Sequence, residues 1–95
     1  DAFRVLAEVA LEELALGPSP VALERGLAAA RRAVEVNPEL APAWLTLAEL
    51  AAEQRRRGGG ESARREVEAA LDRAAAINPR LADEAAELRA VDREG

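Results

Sequence analysis

Few residues in this chain carry chemistry beyond carboxylate and guanidinium charge. Its hydroxyls are Ser19, Ser62 and Thr46, and it contains no His, Cys, Lys, Met or Tyr. Without His or Cys it has no ordinary zinc or transition-metal site, no usual general base and no thiolate nucleophile. Without Lys it has neither a Schiff-base residue nor a phosphate-binding lysine of the Walker type. A carboxylate pair is the acid–base option that remains, and it needs an apolar pocket to raise a pKa. The expectation is a chain that is not an enzyme by itself, with no catalytic residues, no cofactor and no metal.

Three local patterns invite a functional reading, and each has a plainer one. Gly58-Gly59-Gly60-Glu61-Ser62 has the small residues of a phosphate loop. It lacks the lysine and follows a helical pattern rather than a strand, so it reads as a connector. Arg55, Arg56, Arg57, Arg64 and Arg65 gather around it. Cations suit the end of a helix, and no aromatic residue stands near them to stack a base, so the cluster reads as solvated charge. Asn37 and Asn78 each precede Pro. Glu39 and Arg80 occupy the glycosylation acceptor positions, which leaves the two Asn residues as helix-end caps.

The elements that carry these residues follow from composition and spacing. The 95 residues are 49% hydrophobic, with Phe3 and Trp44 the aromatic residues. Ala, Leu, Glu and Arg dominate, all good helix formers, and β-branched residues are few. The net charge of −5 disfavours nucleic acid as a partner. No apolar run reaches the length of a membrane span. The absence of Cys removes any disulfide framework. A chain that opens on Asp1 straight into a helical pattern reads as an excerpt of a longer cytoplasmic protein. Arg without Lys in an Ala-rich sequence points to a bacterial source.

The sequence repeats itself without a gap. Leu6-Ala7-Glu8 returns as Leu47-Ala48-Glu49, Phe3 as Trp44, Gly17 as Gly58, and Asn37-Pro38 as Asn78-Pro79, each 41 residues on. Compositional bias toward Ala cannot align the aromatic, Gly and Asn-Pro positions. One domain over 1–95 therefore divides into repeat 1 (1–41), repeat 2 (42–82) and the rest of a C-terminal capping helix (83–95). The pattern predicts five helices: Ala2 to Leu16, Pro20 to Val36, about Pro42 to Arg57, Glu61 to Ile77, and Leu81 to Arg93. Ser19 is the expected N-cap of the second helix, with Pro20 in its first turn. Phe3, Leu6, Ala7, Ala10 and Leu14 form one apolar stripe; Trp44, Leu47, Ala48 and Ala51 repeat it. Trp44 is expected as a buried anchor between the units. The final helix is expected to turn Leu81, Ala85 and Leu88 inward and Asp83, Glu84, Glu87, Arg89, Asp92 and Arg93 outward.

These residues resemble the tetratricopeptide repeat family, whose units carry W-x2-L-G-x2-Y, then A-x3-F, an Ala and a closing Pro. Here the pattern reads Trp44-x2-Leu47-Ala48-x2-Ala51, then Val67-x3-Leu71-x2-Ala74 and Pro79. The first unit gives Phe3-x2-Leu6-Ala7-x2-Ala10, Gly26-x3-Ala30-x2-Ala33 and Pro38. The resemblance covers nearly the whole chain. It departs from the family in its longer period and in Ala where a large aromatic is usual; the longer period overlaps that of HEAT-type repeats, which stand as the alternative fold. Long Ala/Arg-rich repeats of this kind also look similar to those that follow the kinase domain in large bacterial serine/threonine kinases.

The resemblance implies an all-α helical-repeat solenoid of about two and a half helix pairs, with antiparallel pairs on a right-handed superhelical course. It implies a non-catalytic protein–protein interaction scaffold that takes a peptide or protein in a concave groove. Aligned with the family, the groove residues are Arg4, Val5, Glu8, Leu11 and Glu12, then Leu45, Thr46, Glu49, Ala52 and Glu53, with Glu87 extending the row. That row is mainly acidic and apolar, so a basic peptide is the expected ligand. The alternatives are a self-association or structural module, including a homodimer through the N-terminal helix pair, and a regulatory segment of a larger enzyme such as a kinase. Neither nucleic acid nor membrane insertion is expected.

Overall fold

The two repeats fold as the same local machine, seen first at their ends. Asn37 and Asn78 each close a helix by donating their backbone N–H, to Ala33 O and Ala74 O respectively, at 3.0 Å in both cases. Each side-chain Oδ1 then accepts from the backbone two residues on, Glu39 N–H and Arg80 N–H. The chain turns and re-enters the next helix at the same point of both units. Ser19 caps the second helix as expected: its Oγ accepts from Ala22 N–H at 3.1 Å, and Pro20 opens the helix.

The computed structural model describes residues 2–94, with side chains for residues 2–91. It is helical throughout, with no strand among the described residues. The helices are α1 (Ala2–Leu16), α2 (Pro20–Val36), α3 (Ala41–Gln54), α4 (Gly60–Ile77) and α5 (Ala82–Glu94). The expectation of five separate helices needs one correction. The chain passes from α3 to α4 through a sharp kink over Arg55–Gly59, and counted through it the described residues form four helical segments rather than five. At the kink Arg57 and Gly58 leave helical geometry, and both Gly58 (φ 94°) and Gly60 (φ 67°) take positive φ. Only glycine enters that region without penalty, which is what three successive glycines supply. The two arms keep the labels α3 and α4.

Both pairs are antiparallel. Arg32, near the end of α2, lies over the ring of Phe3 at the start of α1, 5.4 Å from its centroid. Arg73 lies over Trp44 in the same way at 5.6 Å. These are one contact repeated 41 residues apart. The second pair docks on the first through α3, which packs on both α2 and α1, and α5 packs on α4 and α3 in turn. The radius of gyration is 12.1 Å, about that of any compact chain of this length.

Small side chains build the core. Ala7, Ala30, Ala33, Ala48, Ala51, Ala70 and Ala74 are fully enclosed, and the largest fully buried side chains are Leu50, Leu71 and Val67. Two expectations about bulk need correction. Trp44 is only partly buried: its ring packs on the edge of the core, and its Nε1–H donates to Pro38 O at 2.8 Å. The indole carries a polar N–H that needs a partner, and the turn carbonyl at the rim provides one. Leu6, placed on the core stripe, is 57% exposed, whereas its repeat equivalent Leu47 is buried. The final helix turns Ala85 fully and Leu88 partly inward as expected, with Leu81 partly buried in the turn just before it. Arg89 corrects its expected outward placement: it is half-buried and fastens the helix to α4 through Glu68, at 2.7 Å, and Asp72, because two carboxylates of α4 face it. The expected outward positions Asp92 and Arg93 lie outside the residues whose side chains are described. No helix among the described residues is long and apolar enough to cross a membrane.

Candidate functional site

The first helices of successive units, α1, α3 and α5, meet at a cleft of about 280 Å³. Leu11, Leu14 and Ala15 of α1 form one wall, Glu49, Ala52 and Glu53 of α3 the floor, and Leu88 and Val91 of α5 the other wall. Arg56 closes one end. Helical spacing explains the grouping. Glu49, Ala52, Glu53 and Arg56 lie three or four residues apart, on a single face of α3 and its continuation.

Four of the residues aligned with the family's groove come together here: Leu11, Glu49, Ala52 and Glu53. The others do not. Leu45 and Thr46 are buried, 7% and 8% exposed, which corrects their placement on a ligand-facing surface. Leu45 belongs to the core, and the Thr46 hydroxyl donates to Pro42 O one turn back at 3.1 Å. The repeat places them opposite Arg4 and Val5, but α3 has helices on both sides where α1 has them on one, so the same positions are covered in the second unit. Val5, Glu12 and Glu87 are exposed, away from the cleft walls. Arg4 and Glu8 bind one another at 3.2 Å.

The charges are less uniformly acidic than the row of glutamates suggests. Glu53 accepts from Arg56 at 2.6 Å and from Arg57 at 3.0 Å. The hydrogen bond from Arg56 is the main cause that holds its carboxyl below the usual range, and the bond from Arg57 adds to it. Glu49 differs. It is half-buried and makes no ion pair among the described residues. Burial, and secondarily the negative charge of Glu84 on α5, push its pKa above the usual carboxylate value. The arginine cluster around the glycines is largely engaged: Arg56 and Arg57 hold Glu53, and Arg64 lies 3.9 Å from Glu61.

Leu14, Arg56 and Leu88 carry other expectations, as core stripe, basic cluster and inward face, and Ala15 and Val91 carry none; helical spacing does not show them as walls of a cleft, because the position of α5 relative to α1 is tertiary information. Two of the three hydroxyls have local partners, Ser19 as a cap and Thr46 on its own helix. No group of three or more metal-ligating side chains is found among the described residues.

The fold and site define a class: an all-α protein of antiparallel helix pairs in a 41-residue register, with an apolar cleft shared by its first helices. No protein-family model, curated protein or solved structure matches the chain.

Proposed function

We propose that the chain is a non-catalytic, tetratricopeptide-like scaffold that holds a protein or peptide segment in the cleft between α1, α3 and α5. The observation that carries this reading is the convergence of three successive first helices on one largely apolar cleft, with a half-buried carboxylate on its floor that makes no ion pair among the described residues. The cleft is smaller than usual small-molecule pockets, so it suits the side-chain anchors of a longer segment. Leu11, Leu14, Leu88 and Val91 would cover an apolar anchor. Glu49 would gain most from a cation, because a positive partner removes the cost of its partial burial. A segment alternating apolar and basic residues is therefore the expected ligand.

The test is titration of a labelled Leu/Arg-alternating peptide against the full chain at low and high salt. Binding should be weak, salt-sensitive and abolished by Glu49→Arg while helicity is kept. Equal affinity of this variant for the peptide would end the proposal.

A further inference from the structure

The two units carry the same face, and only one of them is covered. In the second unit this face includes Leu47 and Leu50, both buried, where α3 lies against α1 and α2. In the first unit the equivalents are Leu6 and Val9, 57% and 43% exposed. With Phe3, Arg25 and Arg32 they line an open, almost wholly apolar cleft of about 370 Å³ on α1 and α2. This cleft lies apart from the one between α1, α3 and α5, and it does not depend on the function proposed for that site.

The covered face shows what the open one accepts. Leu50 sits over Gly26 of α2, with its Cδ2 2.9 Å from where a Cβ on Gly26 would stand, so the covering helix must be small at that point. Arg31 of α2 then donates two hydrogen bonds to Glu66, at 2.9 and 2.7 Å. Moved back by one repeat, Leu50 becomes Val9 and Glu66 becomes Arg25. The apolar seat is kept and the charge is inverted.

We propose that the α1–α2 face is a docking site for an amphipathic helix that packs on it as α2 packs on the second unit. The occupant has a small residue over Val9 and a carboxylate where α2 carries Arg31, set to pair with Arg25. Arg32 at the rim is already held by Glu35, at 3.1 Å, and lies over Phe3, so the charge that recognises the occupant is that of Arg25. A second copy of this chain is a poor occupant on the same grounds. Its α2 would bring Arg31 against Arg25. Its α4, which carries Asp72 at the equivalent position, is already covered by α5, with Arg89 bound to that Asp72.

The test uses the full chain and a fluorescent peptide of residues 20–36 carrying Arg31→Glu. The peptide is locked as a helix by a lactam from Glu24 to the side chain introduced by Ala28→Lys, both positions being exposed on α2. The chain should bind this peptide more tightly than the same peptide with Arg31 retained, by about fivefold, the scale of one exposed ion pair. Arg25→Glu in the chain should reverse the order, and Leu6→Glu should abolish binding of both peptides while the helical spectrum is kept. An order that does not reverse, or failure of both locked peptides to bind at millimolar concentration, overturns the proposal. So does a dimer of the chain alone that Leu6→Glu dissolves, since that result would give the face to a second copy.

Discussion

Gly26 and Glu49 show how single positions are set by what crosses over them. A Cβ at Gly26 would stand 2.7 Å from the Ala10 Cβ and 2.9 Å from Leu50 Cδ2. Gly26→Ala gains up to about 1 kcal/mol of helix propensity, but overpacking a core typically costs about 1–3 kcal/mol. Two fixed neighbours on two different helices make the second effect the larger. The variant should melt lower, by several degrees, at about 4–8 °C per kcal/mol for a domain of this size; calorimetry decides it, and a raised melting temperature would show that Leu50 moves aside freely. Glu49 acts through pH. Its folded pKa lies above its unfolded one, so its ionisation opposes folding as pH rises from the usual carboxylate range through the raised value. Glu53 has the opposite sign: its pKa is lowered, and its contribution is lost as pH falls through the lowered value. Glu49→Gln should therefore raise the melting temperature at neutral pH, with the gain vanishing at about pH 3.5, below the usual carboxylate pKa. An equal gain at both pH values would assign the effect to packing instead.

At the scale of elements, the glycines that punctuate the two units do different work. Gly17 and Gly58 occupy equivalent sequence positions, and neither would meet an atom with an added Cβ. Gly58 has φ 94°, whereas Gly17 is outside the positive-φ region. Gly58→Ala should cost about 1–2 kcal/mol for the left-handed backbone alone. Gly17→Ala should be neutral or stabilise by up to about 1 kcal/mol through the unfolded chain. Urea unfolding of the two variants side by side tests the contrast, and equal effects would contradict the bend as described. Helix ends were largely legible from sequence: α1 and α2 fall where the Gly-Pro-Ser-Pro and Asn-Pro signals put them, because caps and breakers act on their own backbone. The bend between α3 and α4 was not. Three glycines announce a break, yet the direction in which the kink sends α4 depends on how the arms pack.

Across the whole molecule, Leu50 is the side chain that ties one unit to the next. It is fully buried and lies over Gly26 of the other pair. Leu50→Ala should cost about 2–5 kcal/mol, a large share of the roughly 5–15 kcal/mol available to a small domain. Leu16→Ala, at a position 91% exposed, should change stability by about 0.5 kcal/mol or less. Denaturant midpoints check both, and comparable losses at the two sites would refute the placement of the core. The Arg31–Glu66 bridge spans the same junction, but both groups remain in contact with solvent and its share is about 1 kcal/mol or less.

What the sequence determined by itself is everything the chain can read locally or by repetition: helix over strand, the caps at Ser19, Asn37 and Asn78, the 41-residue register, and the inward side of α5. Propensity, capping and periodicity act within a few residues of one another, so they survive in the linear text. Tertiary structure alone decided how equivalent residues part company. Leu6 is exposed and Leu47 buried, and Val5 is exposed while Thr46 is enclosed. Identical positions meet different neighbours at the end of a stack and in its middle, and burial is set by those neighbours rather than by the residue itself.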